Sequence, residues 1–218
     1  MTTSLTRKEK FKHYLATLRY SLYILTHPLD GFWDLTHEKR GSVAAATTIL
    51  VLTILARIMS MQYTNFMFMH VYWEDINIFL YVGSIVFPLL LWCLGNWGLT
   101  TLFDGKGKLK QVYMGTCYAL APYPLIQFPL IIASNVVTAE EGQFYTVLSI
   151  FSLVWAGILI IAAMLEIHEY SLGKTIFFTI ASLFAMLVEI FILLLFFSMI
   201  SQGIAYFVSL VREMLFRM

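Results

Sequence analysis

Five stretches of this chain are almost wholly apolar, and each is about as long as one membrane crossing. A hydrocarbon layer of about 30 Å takes about 20 apolar residues in a helix. By that measure the spans fall at residues 42–61, 78–97, 112–133, 144–167 and 175–200. Outside them the pattern changes to a one-sided stripe. Between Arg7 and Leu25, apolar residues recur at Phe11, Tyr14, Leu15, Leu18, Leu22 and Leu25, with Lys8, Lys12 and Arg19 on the other face. That is helical spacing. Thr6 to Glu9 has the spacing of a capping box, and Pro28 stops the helix. Such a helix is expected to lie on the anionic cytoplasmic leaflet, with docking of a soluble partner as the sharper alternative. At the other end, Ile204, Phe207, Leu210, Val211, Met214, Leu215 and Met218 repeat against Ser209, Arg212, Glu213 and Arg217. This predicts a second interfacial helix, on the outer leaflet, with one long helix running on from the fifth span as the alternative.

The predicted fold is an all-α integral membrane protein with five transmembrane helices, an N-terminal cytoplasmic amphipathic helix and a C-terminal interfacial amphipathic helix. Residues 1–41 form the first segment, 42–200 the five-span domain and 201–218 the outer helix. Composition agrees: 60% of the 218 residues are hydrophobic and 12% charged, against roughly 25% charged in an ordinary soluble domain. The net charge of +1 makes nucleic acid an improbable partner. Membrane lipids and a membrane-protein partner are expected instead. Homo-oligomerisation is left open. The N-terminal stretch has no continuous apolar core before a small-residue site, so it is expected to be retained.

Placing the N-terminus inside makes eleven of the fourteen basic residues cytoplasmic, including Lys39, Arg40, Lys106, Lys108, Lys110 and Lys174. The loops at 62–77 and 134–143 then hold no Lys or Arg, only the acids Glu74, Asp75, Glu140 and Glu141. Positive charge is enriched on the cytoplasmic side, so the N-terminus is expected inside and the C-terminus outside. Arg212 and Arg217 run against this pattern. Within "HPLDGFWDLTHEKRGS", Asp30-Gly31 predicts a turn, and Phe32, Trp33, Lys39 and Arg40 read as interface anchors.

Candidate chemistry is sparse. In "DGKGKLK", Gly105 and Gly107 are two apart and Lys108 is followed by Leu109, which rules out a phosphate-binding P-loop. Asp104, Gly105, Lys106, Gly107, Lys108 and Lys110 instead predict a cytoplasmic turn, with lipid or partner contact as the functional alternative. Arg57 and Glu189 are ionisable residues inside spans, which is costly and points to function. Arg57 sits about 6 Å from its span's outer end and Glu189 about 16 Å below Ile200. Pairing between the two is one expectation. A structural bond across helices from Glu189, or a proton or ion pathway, are the others.

The third span carries Pro122, Pro124 and Pro129, so it must kink or break, near the polar groups of Tyr118, Tyr123 and Gln127. A packing kink is favoured over a substrate site, because no second broken span mirrors it. "EIHEY", Glu166 to Tyr170, lacks metal-site spacing and reads as a solvated helix end. No metal, cofactor or catalytic residue is expected, and Cys93 and Cys117 read as small apolar residues.

"HPLDGFWDLTHEKRGS", followed by "LGNWGLTTLFDGKGKLKQVYMGTCYALAPY" and a proline-bearing third span, resembles the bacterial branch of the Yip-type membrane domain family, over residues 27–200. The resemblance implies a five-span protein with a cytoplasmic N-terminus in a bacterial plasma membrane, and no enzymatic activity. The acidic "DLYGP"-like stretch of eukaryotic members is absent, so their binding of Rab-type GTPases does not carry over. By analogy with bacterial members, it implies a non-enzymatic accessory or scaffold protein, with the permeases of an ABC-type carbohydrate importer as candidate partners. The alternative is a small carrier or channel built on Glu189, Arg57 and the broken third span.

Overall fold

The structure is a computed structural model that describes residues 7–38, 40–65, 68, 77–138 and 141–216. Its elements are α1 (Arg7–Thr26), α2 (Pro28–His37), α3 (Val43–Tyr63), α4 (Ile78–Leu102), α5 (Leu109–Ala119), α6 (Pro122–Ser134), α7 (Gly142–His168) and α8 (Leu172–Phe216). No strand occurs among the described residues. Helices α3, α4, α7 and α8, together with the pair α5–α6, are the five elements long and apolar enough to cross a bilayer. The expected five-span all-α architecture is what the chain adopts. Of the residues singled out above, Thr6, Lys39, Glu74, Asp75, Glu140, Arg217 and Met218 lie outside the described residues.

The core gathers at the end of the bundle that carries the lysine turn, called the basic end below. Val112, Cys117, Tyr118, Leu159, Ala163 and Ile167 from α5 and α7 meet Ala45, Ala46 and Ile49 of α3. Ile24, Phe32 and Leu35 of the N-terminal helices close the same cluster. The N-terminal helices thus contribute Ile24, Phe32 and Leu35 to the core of the spans. The expected Asp30-Gly31 turn is instead the middle of α2, which starts at Pro28. Proline is well placed at a first helical position, where its missing N–H is no loss. Gly31 is there for packing: a Cβ on it would lie 2.9 Å from Ile24 Cγ1.

Helix α1 packs through a stripe beside the one expected. Thr17, Ser21 and Ile24 are buried, while Phe11, Leu15 and Leu22 face outward. Hydrogen bonding explains the rotation. The Tyr118 hydroxyl, fully buried on α5, donates to the Thr17 carbonyl at 2.9 Å and accepts from the Ser42 N–H at 3.4 Å. The Thr17 and Ser42 hydroxyls are 3.0 Å apart, and Ser42 caps α3 by accepting from Ala45 N–H. One phenol thus joins α1, the start of α3 and α5.

The third span breaks rather than bends. Leu120 and Ala121 separate α5 from α6, and Pro122 and Pro124 fall in the first turn of α6, where they remove no helical bond. Tight bonds from Leu120 N–H to Cys117, and from Ala121 N–H to Tyr118, satisfy carbonyls that the break would otherwise strand. Helix α8 follows the long-helix alternative. It runs unbroken for 45 residues, so residues 201–216 continue the fifth span instead of forming a separate interfacial helix. No proline or helix-capping turn interrupts "SMISQGIAY", and a lone Gly203 is a weak breaker.

Replacing Tyr118 by Phe removes the acceptor of the Ser42 N–H and the side-chain donor to the Thr17 carbonyl, and should cost roughly 1–3 kcal/mol. Thermal melts in mild detergent should show the loss, and limited proteolysis should show α1 released first. An unchanged melt would remove Tyr118 from its joining role.

Candidate functional site

Two polar features of the chain meet at the basic end. The segment from Phe103 to Lys108 links α4 to α5 and nests against the end of α7. Asp104 takes the left-handed conformation, with φ of 59°, and Gly105 N–H bonds the Thr100 carbonyl at 2.9 Å. The glycines were expected to supply the sharp turn, yet neither has a positive φ. Closeness is what requires them. A Cβ on Gly105 would lie 2.8 Å from the Tyr170 hydroxyl, and one on Gly107 would lie 2.6 Å from His168 Cε1. On the facing side, Glu169 ends α7 in a left-handed cap with φ of 54°.

Side chains then tie the turn down. Lys106 pairs with Glu169, which His37 of α2 also approaches at 3.5 Å. Tyr170 donates to the Phe103 carbonyl at 2.8 Å, and the Lys174 ammonium lies 4.1 Å from the Tyr170 ring centre. Lys106 holds the Glu169 carboxyl below its ordinary range. Lys108 and Lys110 project outward, and the Lys108 backbone N–H donates to Gln111 Oε1 at 2.9 Å. The "EIHEY" stretch is thus no simple solvated helix end, since its His168 is 2% exposed.

His168 belongs to a network that joins three spans. Asn96 of α4 donates its amide N–H to Ser182 of α8 at 3.0 Å, and its Oδ1 lies 2.9 Å from His168 Nε2 of α7. With the amide oxygen as acceptor, Nε2 carries the proton. Nδ1 is then a bare lone pair, without a hydrogen-bond partner, against Gly107. Sequence reasoning missed Asn96. Its signal was available: a lone amide in the apolar run "WCLGNWGLT" is the type of residue that bonds between helices in a bilayer.

Near the opposite end lies a cavity of about 520 Å³, walled by five spans. Arg57 of α3 reaches the Tyr123 hydroxyl of α6 there, and both line the cavity with Thr53, Thr116 and Ser149. Gln127 donates to Ser149 at 2.9 Å and, among the described residues, leaves its Oε1 unpartnered. Pro129 lies inside α6, two residues beyond Gln127. Glu189 stands apart. It packs on Gly95 of α4, with Oε1 3.3 Å from where a Cβ would be, and Oε2 has no partner among the described residues. The expected Arg57–Glu189 pair is not formed, because the two sit on α3 and α8 with different neighbours.

The expected interface anchors divide. Phe32 is fully buried, because the α2 helix turns it into the core. Trp33 is exposed and stacks on His37 at 3.8 Å. Arg40 bonds Glu38 at 2.6 Å and Asp34 at 3.3 Å, which together raise its pKa. Among the described residues, no three His, Cys, Asp or Glu side chains group as a metal site, and Cys93 and Cys117 are free and buried.

Gly107→Ala forces a methyl into His168 and should destabilise the fold by roughly 1–3 kcal/mol, measurable as a lower melting temperature. A carboxyl whose folded pKa is depressed stabilises above its unfolded pKa and loses that contribution as pH falls through the folded value. Glu169→Gln should therefore melt below the unsubstituted protein at neutral pH, with the gap closing below the ordinary carboxylate range. A gap independent of pH would assign the effect to shape instead of charge.

The Yip1 domain model matches residues 22–195, which takes in the last turn of α1, the residues that tie down the lysine turn, the cavity and the first half of α8. No curated protein and no solved structure matches the chain. The match covers most of the sequence and includes both glycines of the clamped turn and all three prolines of the broken span, so the chain belongs to the Yip1 domain family of multi-pass membrane proteins.

Proposed function

We propose that this protein is a non-enzymatic accessory protein that binds another integral membrane protein along the far half of α8. The observation that carries this reading is the length of α8 set against its packing. At 1.5 Å per residue its 45 residues extend about 68 Å, roughly twice the apolar thickness of a bilayer. The buried residues of α8 are Thr175, Phe178 and Ser182, all in its first quarter. Beyond them, large apolar side chains are exposed as far as Phe216, including Phe197, Phe207 and Leu215. Lipid tails cover such a helix only through the hydrocarbon layer. Past that depth a partner's apolar surface is the cover that fits, and Arg212 with Glu213 supplies polar contacts at the same level.

In this reading the basic end faces the cytoplasm, by the distribution of Lys and Arg, and the far half of α8 reaches the outer side. The resemblance to bacterial importer accessories makes solute-importer permeases the first partners to examine, in a bacterial plasma membrane. The carrier alternative loses support because its residues do not converge: Arg57 and Tyr123 meet in the cavity, whereas Glu189 is elsewhere.

The test is purification of the full chain in mild detergent, with Phe207→Asp and Leu215→Asp in parallel. The expected outcome is stoichiometric recovery of one membrane-protein partner, reduced at least about tenfold by either substitution, which corresponds to about 1.4 kcal/mol. A solitary protein that gives substrate-dependent flux in liposomes would falsify the proposal.

A further inference from the structure

We propose that the cavity between the spans is a binding site for a phospholipid with a net-anionic headgroup, independent of any protein partner on α8. Its volume of about 520 Å³ lies within the roughly 300–1,000 Å³ range of small-molecule sites. Its wall is incomplete: Leu153 of α7 and Leu183 of α8 line it and are 58% and 52% exposed, so it opens sideways into the acyl-chain layer. An entrance there admits lipid more readily than a water-soluble molecule.

Charge selects the headgroup. Arg57 lies six residues from the end of α3, about 9 Å below it, and among the described residues no carboxylate forms an ion pair with it. A guanidinium at that depth is costly without a counter-ion. It is also the side chain best suited to a phosphate, which its planar fork can meet with two bonds. Tyr123 stands beside it as a further hydroxyl donor. Thr53 and Ser149 add hydroxyls at the cavity wall. Ile85, with Leu153 and Leu183 at the opening, offers an apolar surface to one acyl chain, which reaches toward Trp92. The break between α5 and α6 is what places Tyr123 there, so the prolines shape the site without touching the ligand.

Trp92 supplies the readout. It lines the cavity, is 9% exposed and donates to Thr116 at 3.2 Å. The full chain in detergent is titrated with phosphatidylglycerol brominated on one acyl chain, and the Trp92 signal is taken as the difference between the unsubstituted protein and Trp92→Phe. Brominated phosphatidylcholine and a brominated fatty acid are titrated in parallel. The expected result is saturable quenching by phosphatidylglycerol, at least about tenfold weaker for phosphatidylcholine and for Arg57→Gln, and partly restored in Arg57→Lys. Leu153→Phe, which narrows the entrance, adds no tryptophan and leaves Arg57 in place, should weaken saturation, with folding checked by circular dichroism and size exclusion. Equal quenching by both phospholipids, or full quenching in folded Arg57→Gln, would overturn the site. Saturation by the fatty acid alone would overturn the phospholipid assignment.

Discussion

A polar group sealed inside a membrane protein has no water to fall back on, and in this chain that constraint is met at one amide. Asn96 uses its N–H on Ser182 and its carbonyl oxygen on His168, so α4, α7 and α8 are held by a single side chain. Lipid tails give helices no hydrophobic reason to associate, so such bonds and close packing must supply the specificity. The rest of the basic end follows from this junction. His168 can point inward only because α7 ends there, and the turn from Asp104 to Gly107 can cover it only because glycine leaves room. Tyr170 and Glu169, the next two residues of the exit, then bind the turn's backbone and Lys106.

The proline break solves a related problem with backbone groups. Interior prolines in one long helix would leave carbonyls bare in hydrocarbon. Ending α5 at Ala119 and starting α6 at Pro122 puts two of the three prolines where no helical donor is needed. Tyr118, immediately before the break, is locked to α1 and α3 by its hydroxyl. Tyr123, immediately after it, faces Arg57. The break therefore separates a tyrosine that holds the bundle together from one that lines its cavity.

Much of the architecture was legible in the chain because membrane thickness converts directly into sequence length. The five spans, the broken third helix and the turn at the lysines all follow from local patterns. What local patterns do not carry is contact across the chain. His168 reads as a solvated helix end until Asn96, 72 residues earlier, is beside it. Phe32 reads as an interface anchor until α2 turns it into the core with Ile24. Glu189 and Arg57 attract each other on paper because both are charged residues in apolar runs, yet they sit on helices whose neighbours differ. The unbroken α8 was ambiguous for a different reason: apolar helix and amphipathic helix merge at Gln202 and Gly203 without any strong stop signal.

The two ends of the bundle are built on different principles, and this division bears on function. At the basic end Asn96, Thr100, Tyr118 and Tyr170 are all hydrogen-bonded, and the helices are in contact through small residues such as Ala45, Ala46 and Ala163. Toward the opposite end, among the described residues, Arg57 forms no ion pair with a carboxylate, Gln127 keeps a bare oxygen and α8 leaves its neighbours. A fold that could satisfy an amide and several hydroxyls in one place had the means to do so elsewhere. Groups left open at one end of an otherwise closed molecule are most economically explained as surfaces completed by something else, with lipid fitting the cavity and protein fitting the helix.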